Sequence, residues 1–139
     1  MNKYSLIFLI SSLIFTSCEK GGNNASVDKE NPIIEVFSLS SDNIPMKEGA
    51  SLSISLSFTD NDSLLAYRVR IEDNFIRIKP TFVPWNLQQD YSINGTLYST
   101  SKTYQMPYPS EPGSYRVDVI VQDAALNEAE QSRFFTIDE

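Results

Sequence analysis

Two short acidic turns hold the side chains best suited to chemistry in this chain: Asp60, Asn61 and Asp62 in one, Asp123 and Asn127 in the other. Their oxygens are hard ligands, and calcium takes roughly six to eight such oxygens, with water filling the remainder. The affinity expected is the weak, millimolar range of extracellular modules. Asp and Asn are also the residues that bond their own backbone in β-turns, so on the sequence alone both readings stay open. A second set is aromatic. Phe75, Phe82, Trp85, Tyr91 and Tyr98 fall within residues 73–100, where strand signals are weakest. Flat rings there would stack on sugars or on partner side chains. Trp85 also suits the buried tryptophan of a β-sandwich.

The missing residue types narrow the function further. There is no histidine, and Cys18 is the single cysteine. A Ser-His-Asp site is therefore excluded, and the commonest zinc ligand is absent. Neither a Gly-rich phosphate loop nor a CxxC pair occurs. Carboxylate pairs alone make a glycosidase only inside a deep cleft, so a non-catalytic protein is expected. A net charge of −7 with a pI near 4.5 argues against nucleic acid as a partner, because phosphate-backbone affinity needs clustered Lys and Arg. The 18 acidic residues are scattered, as on a solvated surface.

The first eighteen residues explain the lone cysteine. Lys3 makes the start basic, residues 6–15 (LIFLISSLIF) are an apolar run of export-signal length, and Thr16 and Ser17 precede Cys18. This arrangement resembles the lipobox of bacterial lipoproteins, with Phe15 at the position usually held by Leu, a relaxation common in Bacteroidetes. The resemblance implies that Cys18 is acylated and becomes the new N-terminus. The competing reading is a soluble secreted protein with a chance cysteine near an ordinary cleavage site. Residues 19–31 (EKGGNNASVDKEN) have the composition of a disordered spacer. The expected plan is a signal peptide over 1–17, a lipidated Cys18 and tether over 18–31, and one domain over 32–139. The membrane is then a partner through the lipid on Cys18, and the cell envelope, on either face of an outer membrane, is the location.

The elements that must position these residues are strands. Residues 51–59 (SLSISLSFT) alternate without a fault, placing Leu52, Ile54, Leu56 and Phe58 on one face. Residues 65–72 and 115–122 repeat the pattern, and weaker runs occupy 33–39, 91–93, 96–98, 102–106 and 133–137. After Cys18 no stretch keeps a helical apolar period. Gly49, the 60–62 turn, Asn94-Gly95 and residues 109–113 punctuate the runs. About seven strands in this length predict an all-β, immunoglobulin-like β-sandwich. Tyr115 stands where a corner tyrosine would tie a loop by its hydroxyl, although an ordinary core role suits it equally. With alternating strand directions the turns after Thr59 and Gln122 emerge at one end, which would bring Asp60, Asn61 and Asp62 near Asp123 and Asn127.

Pro32-Ile33-Ile34, the Asp60-Asn61 turn, residues 67–75 (YRVRIEDNF), Pro84-Trp85 and Gly113-Ser114-Tyr115 leading to Val121-Gln122-Asp123 together resemble the Ig-like domain of Bacteroidetes lipoproteins catalogued as a domain of unknown function. The resemblance covers roughly residues 31–137. Relatives often carry histidines around the segment where residues 76–80 (IRIKP) stand here, so a metal role for those histidines does not transfer. Asp62-Ser63-Leu64 resembles the sequon at which Bacteroidetes attach O-glycans, making Ser63 a candidate, with chance occurrence the equal alternative. Two functions follow as expectations. One is a tethered, non-catalytic binding or adhesion module, with glycan as one ligand class. The other is a structural or accessory subunit of a larger envelope complex.

Overall fold

The computed structural model describes residues 27–73 and 79–139. The expectations for the signal segment, for Cys18, for the first part of the tether and for Phe75 lie outside the described residues. Every regular element among the described residues is a strand: β1 (Ile33–Leu39), β2 (Asn43–Pro45), β3 (Ser51–Thr59), β4 (Leu64–Asp73), β5 (Leu87–Ser92), β6 (Leu97–Gln105), β7 (Gly113–Asp123) and β8 (Glu128–Asp138). They form a three-stranded sheet, β1-β3-β6, facing a five-stranded sheet, β2-β8-β7-β4-β5. All pairings are antiparallel except the short β2·β8 contact. The chain is an all-β, immunoglobulin-like sandwich.

The alternation of β3 has the expected consequence. Leu52, Ile54, Leu56 and Phe58 are at most 2% exposed, facing Tyr67, Val69 and Ile71 of β4 and Val117, Val119 and Val121 of β7. Each such side chain contributes about 1.5–3 kcal/mol by leaving water. Tyr115 donates its hydroxyl to the Glu111 carbonyl at 2.7 Å, so it is the corner tyrosine, pinning the loop before β7. Among the described residues the count is eight strands, against about seven expected. The two short runs at 96–98 and 102–106 merge into β6, and the three-residue β2 had no signal of its own.

Polar side chains close the two open sides of the sandwich. On one, Tyr91 of β5 and Tyr104 of β6 share a hydroxyl contact of 3.1 Å, with the Lys102 ammonium 4.8 Å above the Tyr91 ring. On the other, Arg133 and Gln131 of β8 donate to the carbonyls of Phe37 and Ile34 in β1. The outer faces differ in chemistry. On β3 and β6 serine and threonine stand opposite one another, with hydroxyl contacts Ser53–Thr103 at 2.7 Å and Ser57–Ser99 at 2.9 Å. On β4, β7 and β8 the outer face is charged, centred on buried Asp118.

Candidate functional site

One end of the sandwich gathers four segments. Thr59 ends β3, and Leu64 of β4 pairs with Asp123 at the end of β7, so the β3–β4 and β7–β8 turns lie side by side. The Ala124 amide donates to the Ser63 carbonyl at 2.8 Å. The β5–β6 turn joins them through Asp60 N to Thr96 O and Leu64 N to Gly95 O. The chain ahead of β1 arrives here too, because Ile33 pairs with Thr59. Asn61 donates to Asp28 Oδ1 at 3.0 Å, and Asn127 to the Asp28 carbonyl at 3.3 Å.

Three carboxylates meet at this end. One oxygen each from Asp28, Asp60 and Asp123 lies within 4.8 Å of the other two, a span one ion with calcium–oxygen distances of about 2.3–2.6 Å would bridge. Asp123 is fully buried; its oxygens accept from the Asn127 amide nitrogen at 2.8 Å and its side-chain nitrogen at 2.7 Å. Asp60 Oδ2 accepts from the Asp62 amide at 3.0 Å. Asp60 Oδ1 and Asp28 Oδ2 are shielded from solvent and have no hydrogen-bond partner among the described residues. Buried carboxylate oxygens without a donor are costly, and none of the three acids forms a salt bridge among the described residues. The amide of Glu30, then the side chain of Asn61, holds the Asp28 carboxyl below its usual range.

The expected ligand set is thus partly assembled and partly replaced. Asp60 and Asp123 come together as the strand directions require. Asn61 and Asn127 enter as amide donors, tightening the carboxylates rather than supplying oxygen. Asp62 is exposed, contributing its backbone amide to Asp60. Asp28 takes the third place, although its composition put it in the tether. Extending the parity argument to the start of the first strand finds it: β1 runs antiparallel to β3, so residues before Ile33 must lie beside the turn after Thr59.

The aromatic set does not form a platform. Trp85 is 2% exposed, edge-on to Phe135 at 5.6 Å and tilted against Tyr115 at 6.2 Å; it is the core tryptophan of the sandwich. Tyr91 stacks on Tyr67 at 4.7 Å and Tyr98 on Phe58 at 6.5 Å, both half-buried between the sheets. Phe82 is also half-buried, with the Lys79 ammonium 5.9 Å from its ring. Ser63 is half-buried in the β3–β4 turn, its carbonyl tied to the neighbouring hairpin. A shallow concavity of about 290 Å³ on the outer face is lined by Arg68, Asp90, Gln122 and Glu128 among others. Arg68 and Asp90 already pair at 2.6 Å there.

Residues 16–138 match the family model described as "Domain of unknown function (DUF4625)". No curated protein matches the chain. Among solved structures, a β-glucosidase from Listeria innocua aligns over 78% of this chain at 12% identity and a TM-score of 0.43. The chain spans 16% of that enzyme's length. A CARDB domain from Pyrococcus furiosus, solved with di-metal ions, aligns over 81% of this chain and 97% of its own, at 12% identity and a TM-score of 0.46. An immunoglobulin-like protein from Pseudomonas aeruginosa aligns over 78% and 98%, at 14% identity and a TM-score of 0.35.

Proposed function

Because the chain belongs to the DUF4625 family, whose description names no activity, we propose from its own residues that it is a lipid-anchored, non-catalytic module of a bacterial cell envelope with a calcium-binding end. The anchor reading is supported by the order of Lys3, the apolar run 6–15, Thr16-Ser17 and the sole cysteine. It extends to the outer membrane of a Bacteroidetes-type bacterium. A glycan ligand draws no support from Trp85, Tyr91 and Tyr98, whose rings pack into the protein.

The single observation that carries the calcium reading is the convergence of Asp28, Asp60 and Asp123 from three separate segments, with two shielded oxygens lacking donors. Without a cation these charges repel one another; with one they become ligands. The test is the melting temperature of the chain from Cys18 onward, with chelator and with calcium at about 10 mM, well into the range of extracellular sites. Calcium should raise it. Asp60→Asn should reverse sign between conditions, melting at or above the parent in chelator, where repulsion is relieved, and below it in calcium. No calcium-dependent rise in the parent sinks the site. A rise that survives Asp28→Asn combined with Asp60→Asn places the ion elsewhere. The anchor has its own test: Cys18→Ala should abolish incorporation of labelled fatty acid and release the protein from the membrane fraction.

A further inference from the structure

The end that gathers the carboxylates also gathers exposed aliphatic side chains. Val27 is 72% exposed, Leu97 and Leu126 65%, Ile33 56% and Leu65 41%. All five belong to the segments knitted together there. Ile33 and Leu97 flank Thr59 across the outer face of β1-β3-β6. Leu65 accepts from Ile93 beside the β5–β6 turn, and Leu126 closes the β7–β8 turn with its amide on Asp123.

Leu126 is the most telling of them. Its φ of +71° is left-handed backbone that suits glycine or asparagine and disfavours a branched, bulky side chain. A leucine held there and mostly in water has no account in the packing of the domain. Local strain of this kind is kept where the displayed side chain is used.

We infer that this end is a membrane-docking surface, with Leu97, Leu126 and their aliphatic neighbours entering the lipid layer to which Cys18 is attached. The chain's own geometry selects the occupant. Only residues 19–26 separate Cys18 from Val27, a reach of at most roughly 30 Å even when fully extended. An acyl chain on Cys18 therefore holds this end within that distance of the lipid, with the opposite end, where Val83 and Tyr108 are exposed, a sandwich length further away. Anchoring by one point raises the effective concentration of the surface next to the bilayer, so weak apolar contacts suffice. The carboxylate cluster stands among these side chains, where a bound divalent cation would face the headgroup phosphates. The inference rests on the lipid-anchor reading.

The test supplies the anchor chemically, so the two readings fail separately. The folded domain lies wholly after Cys18, and the chain from Cys18 onward is coupled through that sole thiol to a maleimide lipid. The vesicles are phosphatidylethanolamine and phosphatidylglycerol with brominated acyl chains, in calcium-containing buffer. Bromine quenches tryptophan only on contact. Trp85 is buried against Tyr115 and Phe135, near the opposite end, and serves as the unquenched reference. Leu97→Trp and Leu126→Trp should each lose more than half of their added fluorescence, and Tyr108→Trp none. Leu97 lies in a regular strand, so that variant folds even if tryptophan is not tolerated at 126. Equal quenching at 97 and 108, no quenching at 97, or a concentration-dependent shift without quenching, which marks a second copy as the occupant, each overturns the inference. Quenching without fatty-acid labelling of Cys18 in cells overturns the anchor and leaves the surface. Labelling without quenching does the opposite.

Discussion

Asp118 sits at the centre of the charged outer face, only 1% exposed. Burial alone would raise its carboxyl. Hydrogen bonds from Ser132 at 2.6 Å and Arg70 at 2.8 Å, with the nearby charges of Arg116 and Arg70, outweigh that and hold it below the usual carboxylate range. Its contribution to stability is thus present above the unfolded carboxyl value, near pH 4, and is lost as pH falls through the lower folded value. Asp118→Asn should cost about 1–3 kcal/mol at pH 7, since the two arginines are part-exposed and water screens them. The cost should shrink as the pH is lowered below about 4 and the carboxylate takes up its proton. Denaturant midpoints of parent and variant followed from pH 7 downward check this, and a gap that stays constant would mean the carboxylate charge is immaterial.

At the scale of the strand, β3 permits the sharpest contrast. Leu56 is 2% exposed and Ser55, its neighbour, faces water. Leu56→Ala should destabilise by about 2–5 kcal/mol and Ser55→Ala by a few tenths; similar losses in chemical denaturation would refute the assigned faces. The bounds of β1 and β3 were readable because their inward rows are apolar throughout. β6 and β8 were only partly readable, because their inward rows include Thr100 and Lys102, and Gln131 and Arg133, polar residues that belong there only once the opposite sheet supplies Tyr91 and the carbonyls of β1. The candidate site divides in the same way. Asp60 and Asp123 follow from strand direction, whereas Asp28 lies in a stretch whose composition matches a spacer and owes its place to Asn61 and Asn127. Trp85 was ambiguous because a large ring suits a ligand platform and a core equally, and only the packing of Tyr115 and Phe135 decides between them.

Across the whole molecule, charge is unevenly spread. The outer face of β3 and β6 bears hydroxyls and no charged side chain, while the opposite outer face holds Asp90, Glu72 and Asp118 with their arginine partners, and the end where the β3–β4 and β7–β8 turns meet holds Asp28, Asp60 and Asp123. That end also carries the exposed aliphatics, so three surfaces of different chemistry are held at set angles by one core. The order β2-β8-β7-β4-β5 has a consequence in time as well as in space. β7 is the one strand paired along nearly its whole length on both sides, so freeing its amides requires breaking two ladders at once. β2 and β5 each lie at an edge, with one partner. In deuterated water the amides of Val117, Val119 and Val121 should be the last to exchange, at rates set by global unfolding, and those of β2 and β5 should exchange orders of magnitude sooner through local opening. Residue-resolved exchange would show the gradient as a series of half-lives falling outward from β7; a flat profile across the five strands would mean that this sheet opens only as a unit.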